Sequence, residues 1–433
     1  MGHSLLTDRL DSAIRFFLYV LIFWLPYSPA VIEICVIVCL VLWLMKRSLL
    51  LFKQKMNDGN VVQKLCAILS AFKPKDTFLN RPIALFLLVC ILSAAGSAFW
   101  GQSLHNLLTK TLEWFIVYFL TVEVFQRKKH IYIAISVFAF TAFSTVIDSL
   151  VQFYITNKDI FNGHVIEPGS RATAGFKTPN GLGGYLTIFI PGLLAWILLG
   201  KQKLRYLPIM IPILLLSVWS LMTTLSRGAW MGVFLGALLL LLLILLPGRK
   251  VEFYFSLGII GIILGLFFVF FLILINGPGQ EFLSRYHSIH MRTGIWKDSL
   301  NMIRDKPIFG HGINTFMMVF QAYRQNPNMD PTYAHNCYIQ MASEVGLTGL
   351  FAFFWIMAQA FHQPLRKIKL GLAQDQNMTA LTAGLLCGIF AFLIHSLFDT
   401  NFYSLQLSVY LWVMVGTLVA IMKISDAPVG YGR

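Results

Sequence analysis

Charge is scarce in this sequence: 12% of its 433 residues are Asp, Glu, Lys or Arg, while 57% are hydrophobic. So few ionic groups cannot give a chain of this length a hydrated surface, which points to a membrane protein. No Cys-x-x-Cys pair occurs among the six cysteines, and most of them lie inside apolar runs. Neither a zinc site nor a disulfide framework therefore has a basis, and the cysteines read as small apolar core residues. Internal repeats are also lacking, which weakens a transporter built from inverted halves. The apolar stretch from Phe16 to Leu25 runs into Pro26, Tyr27 and Ser28 without a small-x-small cleavage site, so it reads as a retained first span.

Apolar segments are what the chain has in abundance. Runs of span length between polar breaks fall near 12–30, 31–46, 82–100, 106–126, 131–155, 181–200, 206–225, 228–247, 252–276, 336–361, 379–399 and 402–423. The expected fold is an all-α polytopic membrane protein, one integral domain over 1–433 with about twelve transmembrane helices. With the N-terminus inside, 23 of the 34 basic residues and eight of the 19 acidic ones fall on the inner side, which accounts for the whole net charge of +15. The positive balance is thus topological and gives no reason to expect nucleic acid. Both termini are placed inside. A basic inner loop spans 47–81, a smaller outer loop 156–180, and a long outer loop 276–334 joins the ninth and tenth spans. Trp296, Leu300 and Ile303 predict a short amphipathic helix near 291–305 in that long loop, stopped by Pro307.

Polar groups near or within spans are costly and carry the functional signal. Arg171 precedes Asn180-Gly-Leu-Gly-Gly184 at the start of a span, where backbone N–H groups suit an anion; capping and close packing are the competing reading. Arg227 in Ser226-Arg227-Gly228-Ala-Trp230 lies between very apolar runs and is expected to face the protein interior as a phosphate ligand, rather than serve as an interfacial anchor. The long loop holds Arg285, His287, His290, Arg292, Lys297, Arg304, Lys306 and Arg324. The two histidines lack a third metal ligand and read as a solvated face, whereas Arg292 leads the helix containing Trp296. Asn336, Gln340, Ser343 and Glu344 form a polar stripe on an otherwise apolar helix, with His335, a natural general base, at its outer mouth. Such a stripe should look into a protein interior or a wet cavity. His395 and Asp399 add a second polar face or orient another side chain.

Taken together, the Arg-Gly pair, the loop with Arg292 and Trp296, Asp305-Lys-Pro-Ile-Phe-Gly-His-Gly312, His335-Asn336, Glu344-Val-Gly-Leu-Thr-Gly349 and His395-Ser-Leu-Phe-Asp399 resemble the bacterial O-antigen ligase family. The likeness runs from Arg171 to Asp399, and the superfamily also holds O-antigen polymerases and protein O-oligosaccharyltransferases. It implies glycan transfer from undecaprenyl diphosphate to the lipid A core oligosaccharide at the periplasmic face of the bacterial inner membrane, with no metal or nucleotide cofactor. Carried over, the family's essential arginines fall on Arg227 and Arg292 and its histidine on His335; Arg171 and Asp399 also match. Asn180, Asn336, Gln340 and Glu344 are expected to support them.

The chemistry is self-consistent. A polyprenyl diphosphate departs without strong acid help, so the enzyme must stabilise charge on the diphosphate and deprotonate a sugar hydroxyl. Two arginines and one histidine meet those needs. No Asp-x-Asp cradle for a metal and sugar nucleotide occurs. A same-superfamily polymerase is the nearest alternative, and a lipid-linked sugar flippase a more distant one.

Overall fold

A computed structural model describes residues 2–53, 70–201, 203–245, 280–327, 331–369 and 375–426, with isolated positions between some of them. The expected span at 252–276 lies outside the described residues apart from three of those positions, as does 54–67 of the inner loop. In chain order the helices are α1 (Gly2–Trp24), α2 (Pro29–Lys53), α3 (Asn80–Ala95), α4 (Trp100–Asn106), α5 (Leu112–Val124), α6 (Lys128–Val151), α7 (Pro179–Leu199), α8 (Lys203–Thr223), α9 (Arg227–Leu245), α10 (Gln280–Asp305), α11 (Phe316–Phe320), α12 (Cys337–Lys369), α13 (Gln376–His395) and α14 (Leu405–Asp426). Among the described residues there is no strand; a single antiparallel bridge joins Lys158 to Val165. Eight described helices are long and apolar enough to cross a membrane: α2, α6 to α9, and α12 to α14.

Small residues set the closest packing. Along α13, a Cβ on Gly388 would sit 2.7 Å from Ile188 O, and one on Gly384 3.0 Å from the Gly192 Cα, so α13 runs antiparallel against α7. Its other side meets α9 in the same sense: Gly236 leaves room for Cys387 O, and Gly232 for Ala391 O. Between apolar helices such close backbone approach is the main source of packing energy, because lipid is as apolar as leucine. The consequence is positional. The start of α7, the start of α9 and the end of α13 meet at one end of the trio.

The tenth expected span, 336–361, is a broken helix. Gly346 takes φ 72° and ψ 178° inside α12. The break frees carbonyls that must find partners, and the 307–312 turn supplies them. His311 N donates to Ser343 O (3.1 Å), Gly312 N to Glu344 O (2.9 Å), and Leu347 N to Pro307 O (2.8 Å). Ser93 Oγ donates to Glu344 O at 2.7 Å. The two motifs 305–312 and 344–349 are therefore halves of one joint. Gly346→Ala forces a left-handed φ on a residue with a Cβ and drives that Cβ into Ile308 O. It is expected to cost at least about 1–3 kcal/mol, read as a lowered Tm of the detergent-solubilised protein.

The helix expected near 291–305 extends back to Gln280. No Gly or Pro interrupts the segment between Gln280 and Gly294, so nothing stops the helix there.

Candidate functional site

At the meeting point of α7, α9 and α13, three guanidinium groups and one carboxylate share a neighbourhood. Arg171 comes from the loop before α7. Its Nε donates to Thr224 O (2.6 Å) and its Nη2 to Asn180 Oδ1 (2.6 Å), so it is stitched to the end of α8 and the start of α7. Arg292 lies on α10 and donates from Nη1 to Phe398 O at 2.9 Å. Arg227 is the first residue of α9. Burial lowers the Arg171 pKa, and repulsion from Arg292 and Arg227 adds to that against attraction to Asp399. The same holds for Arg292, depressed by burial and by Arg227 and held up by Asp399. Each cation thus feels the others, and the group is net positive.

Asp399 is the counter-charge. Its Oδ1 accepts Thr400 N at 2.8 Å and lies 3.8 Å from His335 Nδ1, an ion-pair separation too long for a hydrogen bond. Burial alone would raise its pKa; the facing His335 and His395 and the Thr400 N–H outweigh burial and hold the carboxyl at about 2. The group therefore stays ionised at any pH above that value, and its contribution to stability is lost only as pH falls from the ordinary carboxylate range through about 2.

His335 sits in the left-handed region, φ 53°. The residue before it is gripped from two helices: Trp296 Nε1 donates to Ala334 O (2.9 Å), and Ala334 N donates to Gln340 Oε1 (3.0 Å). Its Nδ1 is shielded from solvent and makes no hydrogen bond, while the imidazole as a whole is partly exposed.

The polar stripe on α12 looks into the protein interior, one of the two expected surroundings. Glu344 accepts Asn314 N (2.9 Å), Phe316 N (3.3 Å) and Gln340 Nε2 (3.1 Å), and so holds the 314–316 backbone. Asn336 Oδ1 caps α12 through Tyr338 N (2.9 Å) and Ile339 N (3.0 Å). Ser343 Oγ donates to Ile339 O at 2.9 Å. Gln340 and Asn336 thus fix the segment on either side of His335, while Glu344 fixes 314–316. Asn180 likewise serves Arg171 rather than an anion directly, and Gly183 and Gly184 make room for neighbours on α9 and α14. Arg227, expected to face the protein interior, is the first residue of α9, and its side chain is exposed there. The side chains of Arg285, His287 and His290 lie outside the described residues. Among the described residues no three His, Cys, Asp or Glu side chains gather as a metal-binding group.

One participant was underweighted in the sequence. His395 is buried, with Nε2 3.2 Å from Ser226 Oγ and Nδ1 3.1 Å from Asn401 Nδ2. An amide donor at Nδ1 places the ring proton on Nε2, directed at the serine that precedes Arg227. A Cβ on Gly184 would lie 3.3 Å from the ring Nδ1 and one on Gly228 3.1 Å from its Cδ2, so both glycines keep space for this imidazole. Those two glycines, in separate motifs, were the available signal. His395→Leu strands the Ser226 hydroxyl and the Asn401 amide and is expected to cost about 1–3 kcal/mol. His395→Gln, which keeps a donor toward Ser226, should recover part of that loss in the same melting measurement.

No curated protein matches the chain. Residues 212–354, about a third of its length and the stretch that supplies Arg227, Arg292 and His335, match the family model described as O-antigen ligase, and this match supports assigning the chain to the O-antigen ligase family.

Proposed function

We propose that the protein transfers an O-antigen glycan from undecaprenyl diphosphate to the lipid A core oligosaccharide, without a metal and with inversion at the anomeric carbon. One observation carries this reading: Arg171 and Arg292 lie within interaction range of the carboxylate Asp399, both also feel Arg227, and Asp399 faces His335. A net positive cluster beside the N-terminus of α9 suits a diphosphate, since the helix end adds positive potential to the guanidinium groups. Arg227 and Arg292 clamp the diphosphate, and Arg171 adds charge from behind. His335 accepts the acceptor hydroxyl proton at the ring nitrogen that does not face Asp399, and Asp399 stabilises the resulting imidazolium. The acceptor oxygen bonds to the anomeric carbon as the bond from that carbon to the diphosphate oxygen breaks, and the leaving group carries away the electron pair.

The same reading places the chain in the bacterial inner membrane as one domain over 1–433 with about twelve spans and both termini cytoplasmic. Loops 156–180 and 276–334 are periplasmic and contribute Arg171 and Arg292 to the site; loop 47–81 is cytoplasmic. The distribution of basic residues supports this orientation.

The test supplies purified protein with a lipid-linked glycan and either lipid A core or a second lipid-linked glycan. Glycan appearing on lipid A core is the expected result. Extension of the second donor would instead identify a polymerase, and movement of labelled lipid across a vesicle without a new glycosidic bond a flippase; either would overturn the proposal.

A further inference from the structure

We infer that the 307–309 turn sits in the bilayer surface, with Ile308 and Phe309 among lipid acyl chains. Below the break at Gly346, Leu347, Phe351 and Phe354 recur at i, i+4 and i+7, and all three are exposed, Phe351 at 66%. On a helix that crosses a membrane, an exposed apolar stripe is the lipid-facing side. Basic residues return on this helix at Arg366 and Lys367, and the roughly 20 residues of helix that cross a hydrocarbon core of about 30 Å reach back from there to Leu347. Leu347 therefore marks the edge of the hydrocarbon.

The turn is tied to that level. Leu347 N donates to Pro307 O at 2.8 Å, the Thr348 hydroxyl donates to Ile308 O, and Gly346 is a glycine because the backbone of Ile308 and Phe309 fills the space of a Cβ. Ile308 is nonetheless 58% exposed and Phe309 is exposed beside it. Two large apolar side chains, continuous with a lipid-facing stripe and fixed at its upper end, have lipid as their partner. Exposed Arg304 and Asp305 and half-buried Lys306, immediately before the turn, suit the headgroup layer. The motif Asp305–Gly312 thereby acquires a role that the transfer chemistry does not use. The inference rests on α12 as a membrane span and not on the proposed reaction.

The test places a nitroxide at Ile308→Cys in a background whose six native cysteines are replaced, reconstituted in phosphatidylethanolamine and phosphatidylglycerol vesicles. Accessibility to dissolved oxygen should exceed accessibility to a water-soluble nickel chelate several-fold, and the order should reverse at Lys297→Cys, an exposed position on α10. Nickel access at position 308 equal to that at 297 would overturn the inference, as would shielding from both reagents, which signifies a protein partner. On the unsubstituted protein, a phospholipid with a diazirine in its acyl chain should label the peptide holding Ile308 and Phe309; labelling confined to peptides of the spans would overturn the inference independently.

Discussion

Replacing His335 by Ala is expected to lower glycan transfer by roughly 10²–10⁴-fold while leaving affinity for the lipid-linked donor little changed. The side chain is partly exposed and bonds nothing across the packed helices, so its removal opens no core cavity. Its backbone conformation is set by Trp296 and Gln340 acting on Ala334, contacts that do not involve the imidazole. The φ of 53° is one that Ala adopts less readily than His, so a small stability loss accompanies the substitution. His335→Asn, more tolerant of that φ and unable to accept a proton from the hydroxyl, separates the two effects: it should transfer as poorly as His335→Ala with a melting temperature nearer the parent. Turnover of either variant close to the parent, measured as glycan-loaded lipid A core per unit time with donor saturating, would remove His335 from the reaction. Asp399→Asn should act in the same direction through loss of the charge that faces Nδ1. Because Asp399 stays ionised down to about 2, no loss of activity near neutral pH can be ascribed to its protonation.

The helical class, the large apolar share and the identity of the clustered residues were legible in the sequence, because each follows from local composition or from a motif. Arg171, Arg227, Arg292 and Asp399 come from four separate segments; the antiparallel packing of α13 between α7 and α9 brings the ends beside Arg171, Arg227 and Asp399 together, and Arg292 joins them from α10 through Phe398 O. The polar stripe of α12 was legible as one helix face, but which groups satisfy it was not, because the Asn314 and Phe316 N–H groups reach Glu344 only through the fold of the preceding loop. The break at Gly346 was hidden for a related reason: an apolar run of span length reads as continuous unless the partner that satisfies a broken helix is seen, and here that partner is the 307–312 turn. The exposure of Arg227 does not follow from its very apolar flanks. At a helix start the flanks can be buried while the first residue stands clear.

Arg292→Ala is expected to lower transfer by about 10²–10³-fold, the scale associated with loss of one preorganised donor to developing charge. Part of the guanidinium is spent on Phe398 O, which fixes the fork beside Asp399 and leaves the remaining N–H groups to the diphosphate. Arg292→Lys keeps the charge, yet a point ammonium cannot hold that carbonyl and two phosphate oxygens in one plane, so recovery should be partial. Arg227→Ala should have an effect of similar size with less change in stability, because its side chain is exposed where Arg292 is tied to the fold. If both cations hold one leaving group, the double variant should lose less than the product of the single losses, since either vacancy already disorders the diphosphate. Strictly multiplicative losses would mean that the two arginines act on different groups, with only one of them on the diphosphate. Initial rates for the four proteins at equal donor and acceptor, together with donor affinity for each, decide between those outcomes.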